Sequence, residues 1–321
     1  MKMTTNKIKG NMETKMKTKE ENKKMKTETK NRTLEIGMCL GIAAVIAAAV
    51  LISGCIGGNG GTEPGGGTGT ELTGSLTVTG STTVLPIAQQ AADAFMDKHP
   101  KVNIQVSGGG SGVGVQAIGT NTADIGMASR ELKDEEKTSY PNLVQHVVAG
   151  DGIAIIADKN NPVSFLTEEQ IKKMYKGEIT NWKELGGNDQ EIVVVNRDSA
   201  SGTREFFHEH VMKKEDFTKT ALEKNSNGAV KTTVQGTPGA IGYVGLGYVN
   251  SDIKAIKIKT PDGYLAEPTV ANVLNNKYPI ARNLNMFTDG QPTGLAKEYL
   301  DFIKSGEGQK IVEDEGFVPV N

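Results

Sequence analysis

Between residues 74 and 321 the apolar residues switch repeatedly between a two-residue and a 3.6-residue period, and few folds tolerate that pattern. SLTVTG alternates like a strand, and VLPIAQQAADAFMDKHP then sets Leu85, Ala88, Ala92 and Phe95 on one helical face. VNIQVSG reads as a second strand and VQAIGTNT as a short helix. ADIGMASRELKDEE opens with a third strand that ends near Ser129. LVQHVVAG and GIAIIADKN are apolar runs of strand length. TEEQIKKMYKG is an amphipathic helix with Thr167 as N-cap and Glu168 and Glu169 in its first turn. EIVVVNR precedes the helix TREFFHEHVM, AIGYVGLGYV and IKAIKI are strands, and GLAKEYLDFIKSGEGQKIVEDEG closes the chain with helices. Alternation of this kind predicts an α/β fold.

The junctions carry the chemistry. Three strand-to-helix turns consist of Gly, Ser and Thr: Gly80-Ser-Thr-Thr83, Gly108-Gly-Gly-Ser-Gly112 and Ser199-Ala-Ser-Gly-Thr203. A helix N-terminus presents unpaired N–H groups and the positive end of the helix dipole. Small residues let an anion approach that backbone, and hydroxyls add donors. Arg197, just before the third turn, brings a planar charge with forked donors. Any one of these turns can be explained by helix capping alone. Three in one α/β chain, one beside an arginine, predict a shared anion site at the strand ends.

Charge and cysteine usage narrow the classes further. Residues 1–36 hold eleven Lys/Arg against five Glu, a net of +6, while residues 74–321 carry 25 basic against 31 acidic groups, a net of −6. Nucleic-acid binding requires clustered cations, so that balance argues against it. Cys39 and Cys55 are the only cysteines, and both precede the α/β region, which therefore has no disulfide or thiolate metal site. IGMCLGIAAVIAAAVLISG, residues 36–54, is apolar and long enough to span a bilayer core, behind a Lys-rich flank. It ends in Leu51-Ile-Ser-Gly-Cys55, which resembles a lipobox. Cys55 is then the expected lipidation site, and the domain is expected to be tethered outside the cytoplasm; a retained membrane segment is the alternative. A start at Met25 gives a leader of ordinary length. IGGNGGTEPGGGTGTELT reads as a flexible linker, so residues 1–54 form the leader and residues 55–73 the tether.

TGSTTVLPI, SGGGSGVGVQAI, ADIGMASREL, NRDSASGT and GAIGYVGLGYV, in this order, resemble the phosphate-binding proteins of ABC-type phosphate importers, over essentially all of residues 74–321. The resemblance implies a type II periplasmic-binding-protein-like fold, with two lobes of mixed sheets flanked by helices and joined by a two-strand hinge. The chain is then expected to form lobe one from residues 74–152 and 250–321 and lobe two from 153–249. It also implies capture of inorganic phosphate, delivery to a permease and its ATPase, and no cofactor. By the same resemblance Thr82, Thr83, Ser111, Ser129, Arg197, Ser201, Gly202 and Thr203 bind phosphate. Longer family members place an aspartate after the ADIG-like strand to accept the ligand's proton; here Ser129 and Arg130 stand there. Phosphate at pH 7 still carries a proton, its second pKa being about 6 or above, and sulfate does not. Asp151, at the start of the presumed hinge strand, is the first choice for that acceptor, with Asp198 and Asp124 behind it.

Rival functions fare less well. Gly112-x-Gly114-x-x-Ala117 loosely fits a dinucleotide fingerprint, but no acidic residue closes a following strand about 20 positions on. No Gly-Lys-Ser/Thr is present for a P-loop, and Val113 breaks the hydrolase elbow at Ser111. His208 and His210 sit two apart, on different helix faces, which disfavours a metal pair. Trp182 is expected to pack in lobe two or to meet the permease. A receptor for sulfate or molybdate on the same scaffold stays open, and behind it a nucleotide-dependent enzyme.

Overall fold

The computed structural model describes residues 71–320. The predicted leader, Cys55 and most of the linker lie outside them. Strands β1 (Gly74–Gly80), β2 (Val102–Gly108) and β3 (Ile125–Ala128) alternate with helices α1 (Leu85–Lys98) and α2 (Ser111–Gly119). Parallel strands need a crossover, and the helices supply it: β1 pairs β2 on one side and β3 on the other.

After the short helix α3 (Asp134–Ser139), the two apolar runs of the sequence fuse into one strand, β4 (Leu143–Ala157). Strand β5 (Phe165–Leu166), helix α4 (Glu168–Lys176), β6 (Val193–Arg197), α5 (Gly202–His210), β7 (Leu222–Lys224), α6 (Asn227–Gly236) and β8 (Ala240–Gly245) follow. The chain continues through β9 (Lys254–Lys259), β10 (Leu265–Ala266), α7 (Val270–Leu274) and β11 (Ala281–Asp289), and ends in α8 (Gly294–Lys304) and α9 (Gly306–Asp314). The main strand order is β2-β1-β3-β11-β4-β8-β6-β7. The first half of β4 pairs β11 and the second half pairs β8 and β9, so one long strand runs through both lobes.

Each lobe has its own core. Leu76, Ile87, Phe95, Met127, Leu284, Tyr299 and Phe317 pack in the first, and Ile153, Tyr175, Trp182, Phe207, Tyr243, Ile256 and Ile280 in the second. The second crossing therefore comes at Ala281, where the sequence reading set it at residue 250. β9 pairs β4 beyond Ile155, and Ile256, Ile258, Ala266, Tyr278 and Ile280 bury their side chains in lobe two, which carries that whole stretch with it. Lobe one regains the chain with β11. The hinge is thus the pair of strand crossings at residues 150–153 of β4 and 280–282 of β11, where Ile153 donates its N–H to the Ile280 carbonyl at 2.8 Å.

Thr167 caps α4 as expected: its hydroxyl accepts from the Gln170 amide, and Gly177 ends the helix in the left-handed region. Trp182 is fully buried in lobe two and its Nε1–H donates to the Gly239 carbonyl at 2.8 Å, so it packs and is not available for docking. Among the described residues no helix is long and apolar enough to cross a membrane.

Candidate functional site

The three Gly/Ser/Thr turns meet between the lobes. Gly80 ends β1 at φ +134°, and a Cβ on it would lie 2.3 Å from the Met127 carbonyl, so only glycine lets the first turn leave the sheet there. The next turn is tied to it, the Gly110 N–H donating to the Gly80 carbonyl at 2.9 Å. Gly114 sits against the Thr79 and Met127 carbonyls, so the glycine-rich start of α2 serves close helix-on-sheet packing, a different reason from a dinucleotide fingerprint.

Across the cleft lies the turn after β6. Gly112 donates its N–H to the Ala200 carbonyl at 3.0 Å, joining the lobes directly. A Cβ on Gly202 would come 2.2 Å from Ser111 Oγ, so the first residue of α5 has no room for a side chain. Ser201 caps α5 by accepting from the Arg204 amide at 3.1 Å, which leaves its own O–H free to donate. Capping and ligand binding are therefore compatible roles for this serine.

All eight residues singled out by resemblance come together and are buried: Thr82, Thr83, Ser111, Ser129, Arg197, Ser201 and Thr203 expose at most 8% of their surface, and Gly202 is buried with them. Thr83 Oγ1 lies 3.1 Å from Thr203 Oγ1, and Ser111 Oγ lies 3.3 Å from Ser129 Oγ. Arg197 lies across the Thr82 hydroxyl, with Nη2 at 3.4 Å, and is anchored by Nε to the Lys224 carbonyl at 3.1 Å and by Nη2 to the Asn225 carbonyl at 3.3 Å. Its Nη1 is buried with no protein acceptor. Burial pulls the Arg197 guanidinium down from its ordinary value, with the charge of Arg282 adding to that pull and Tyr243 and Asp198 opposing it. Tyr248 donates its hydroxyl to the Thr82 carbonyl, and burial pushes its phenol up to about 12.

Two residues of this cluster escape sequence reasoning. Asn227, the first residue of α6 and fully buried, donates from Nδ2 to Thr82 Oγ1 at 3.1 Å and Thr83 Oγ1 at 3.0 Å, while its Oδ1 accepts from the Gly245 amide at 3.3 Å. Ser226-Asn-Gly after a strand repeats the turn chemistry of the other three junctions and is the signal that marks it. The other is Arg282, on β11 directly opposite Asp151 of β4. An arginine inside the mixed segment YPIARNLNMF is its trace in the sequence, and nothing local distinguishes it from a surface cation.

Asp151 lies in the cluster with no exposed surface. Its Oδ2 accepts from Arg282 Nε at 3.1 Å and Nη2 at 2.8 Å, and its Oδ1 from the Leu246 amide at 2.9 Å. Burial pushes the Asp151 carboxyl up and the Arg282 guanidinium down, and each partner's charge opposes the other's shift. Asp124 stands elsewhere: its Oδ2 accepts from both the amide and the hydroxyl of Thr77, at 2.7 Å each, a bond within the lobe-one sheet. Asp198 follows Arg197 and adds a negative charge near it. His208 and His210 lean on different rings, Phe217 and Phe206. Among the described residues no three His, Cys, Asp or Glu side chains gather as a metal site.

The chain matches the model of the PBP superfamily domain over residues 65–307. Among curated proteins it is 38% identical to the phosphate-binding protein PstS of Bacillus subtilis, over 78% of this chain and 82% of that one. The chain belongs to the PstS family. A solved structure from Clostridium perfringens, described as a putative phosphate ABC transporter substrate-binding protein with bound phosphate, is 43% identical with a TM-score of 0.73, over 77% of this chain and 100% of that one. An ABC-type phosphate transport receptor from Vibrio cholerae is 35% identical with a TM-score of 0.63, over 76% and 99%. The family match over residues 65–307 and these structural neighbours support the two-lobe fold of this chain.

Proposed function

We propose that this protein is an extracytoplasmic solute-binding protein that captures inorganic phosphate between its lobes and hands it to an ABC-type permease. One observation carries the reading. Seven small or hydroxyl-bearing positions and Arg197 converge on one buried region, where a guanidinium nitrogen has no protein acceptor. A buried donor left unpaired costs about 1–3 kcal/mol, and an oxyanion bound beside it removes that cost. Micromolar affinity needs roughly 8 kcal/mol. Six or seven bonds to a charged ligand, at about 1.5–3 kcal/mol each, give roughly 9–21 kcal/mol, a gross sum of the size needed once the cost of association and lobe closure is subtracted.

Phosphate binding by the named relatives supports the choice of ion. Tethering through a lipid on Cys55, after cleavage of the leader, is part of the same proposal and rests on the sequence alone. The reading calls for no cofactor, since donors and a guanidinium are sufficient to hold an oxyanion. Sulfate and molybdate share the tetrahedral geometry, so titration of the purified protein with phosphate, sulfate and molybdate at pH 7 is the test. Tightest binding of phosphate is the expected result. Tighter binding of either rival reassigns the ligand.

A further inference from the structure

The hinge holds a charge pair that the phosphate reading does not use. Arg282 is almost fully buried; its Nε and Nη2 grip Asp151, and the same Nη2 reaches Thr203 Oγ1 at 2.9 Å and Thr83 Oγ1 at 3.4 Å. Its Nη1 has no protein acceptor, and its Cζ lies 5.8 Å from the centre of the Phe206 ring. A guanidinium and an amide NH₂ only donate, whereas a hydroxyl has one proton and two lone pairs. Thr82 Oγ1 takes an N–H from Asn227 and a longer one from Arg197. Thr83 Oγ1 takes one from Asn227 and a longer one from Arg282, and Thr203 Oγ1 takes one from Arg282. The three hydroxyl protons must therefore point away from these donors. The Thr83–Thr203 contact consumes one of them, and two remain for an anion.

We propose that Arg282, clamped by Asp151, is a positioning residue of the anion site: by filling lone pairs on Thr83 and Thr203 it sends the Thr83 proton to Thr203 and turns the Thr203 proton toward the ligand, which makes the hinge end of the cradle a set of donors. The inference rests on the oxyanion reading and deepens it. Asp151 then serves Arg282 and not the ligand's proton, which departs from the role the sequence suggested. A lone buried arginine here would be costly, and the fork-to-carboxylate geometry both neutralises it and fixes where its third contact falls.

The test is a mutant cycle read by calorimetric titration with inorganic phosphate, alongside the melting temperature of each variant without phosphate. Asp151→Asn with Arg282→Gln replaces the buried pair by neutral amides of similar shape and avoids stranding a charge. It should weaken phosphate binding tenfold or more in the wild-type background, but no more than about threefold when Thr203→Val has already removed the hydroxyl, because interacting groups are not additive. Arg282→Lys keeps the charge without the fork and should also lose several-fold in affinity, whether or not the double variant folds. Affinity within a factor of two of wild type in the folded double variant or in Arg282→Lys overturns the inference. So does an equal loss with and without the Thr203 hydroxyl. If the wild-type protein binds no phosphate, the oxyanion reading fails first and takes this one with it, a result distinct from wild-type binding without coupling.

Discussion

At the residue scale Arg197 carries most of the argument. It is buried at the start of the third turn, tied by two backbone carbonyls, and one of its nitrogens is left for a ligand. Arg197→Ala should weaken phosphate binding by about 2 kcal/mol or more, roughly 30-fold, as measured by calorimetry. A change within a factor of two would place the ligand elsewhere. Residues whose chemistry depends on neighbours in sequence were legible from the chain: a hydroxyl beside a glycine at a helix start says where its donors point. Asn227 carries that signal in Ser226-Asn-Gly, whereas Arg282 is not legible in that way. Arg282 meets Asp151 only through the antiparallel register of β11 on β4, 131 positions apart, and no local pattern encodes a register between distant strands.

At the scale of elements, the alternation of periods located nearly every helix and strand that builds the cradle, including the Thr167 cap. It left α6 and β11 unassigned, the latter because YPIARNLNMFT mixes polar and apolar residues where the strand passes from the hinge into lobe one. Helix α3 shows how a short element is held. Glu136 accepts from Arg130 Nη1 and Nη2 at 2.7 Å each and from the Lys133 amide at 2.9 Å, which fixes the start of the helix. Burial pushes the Glu136 carboxyl up, but the bonds to Arg130 and Lys133 outweigh it and hold the carboxyl below its usual 4.5. A depressed carboxyl stabilises the fold above its unfolded value and loses that contribution as pH falls through the folded one. Glu136→Gln should therefore cost about 1–3 kcal/mol near neutral pH. In urea denaturation series the gap to wild type should shrink as pH falls below 4.5. A gap that stays constant with pH would show that the charge of Glu136 does not matter.

For the whole molecule, two contacts between the lobes bear on the ligand. One is the cradle itself, with the Gly112-to-Ala200 bond and the Ser111–Gly202 contact. The other lies at its rim, where Glu205 of α5 in lobe two meets Lys133 at 2.9 Å and Arg130 Nε at 3.1 Å, the latter an ion pair not aligned as a hydrogen bond. Rim pairs are partly solvated and individually weak, about 0–1 kcal/mol. Glu205→Gln should accordingly raise the phosphate dissociation constant only about two- to fivefold, mainly through faster release in stopped-flow measurements. A loss as large as that of Arg197→Ala would make the rim, not the cradle, the seat of affinity. The two-lobe plan followed from the resemblance of five ordered motifs. The point of return to lobe one did not, because β9 and α7 join lobe two through side-chain packing that only the folded chain reveals.

A crystal structure of the protein grown with millimolar phosphate is the most direct measurement of all. Tetrahedral density within hydrogen-bond distance of Arg197 Nη1, ringed by the turns at residues 80–83, 108–112 and 199–203, is what the three converging helix starts predict. Density for phosphate only on the outer surface, with those turns drawn apart and the cradle holding none, would contradict it.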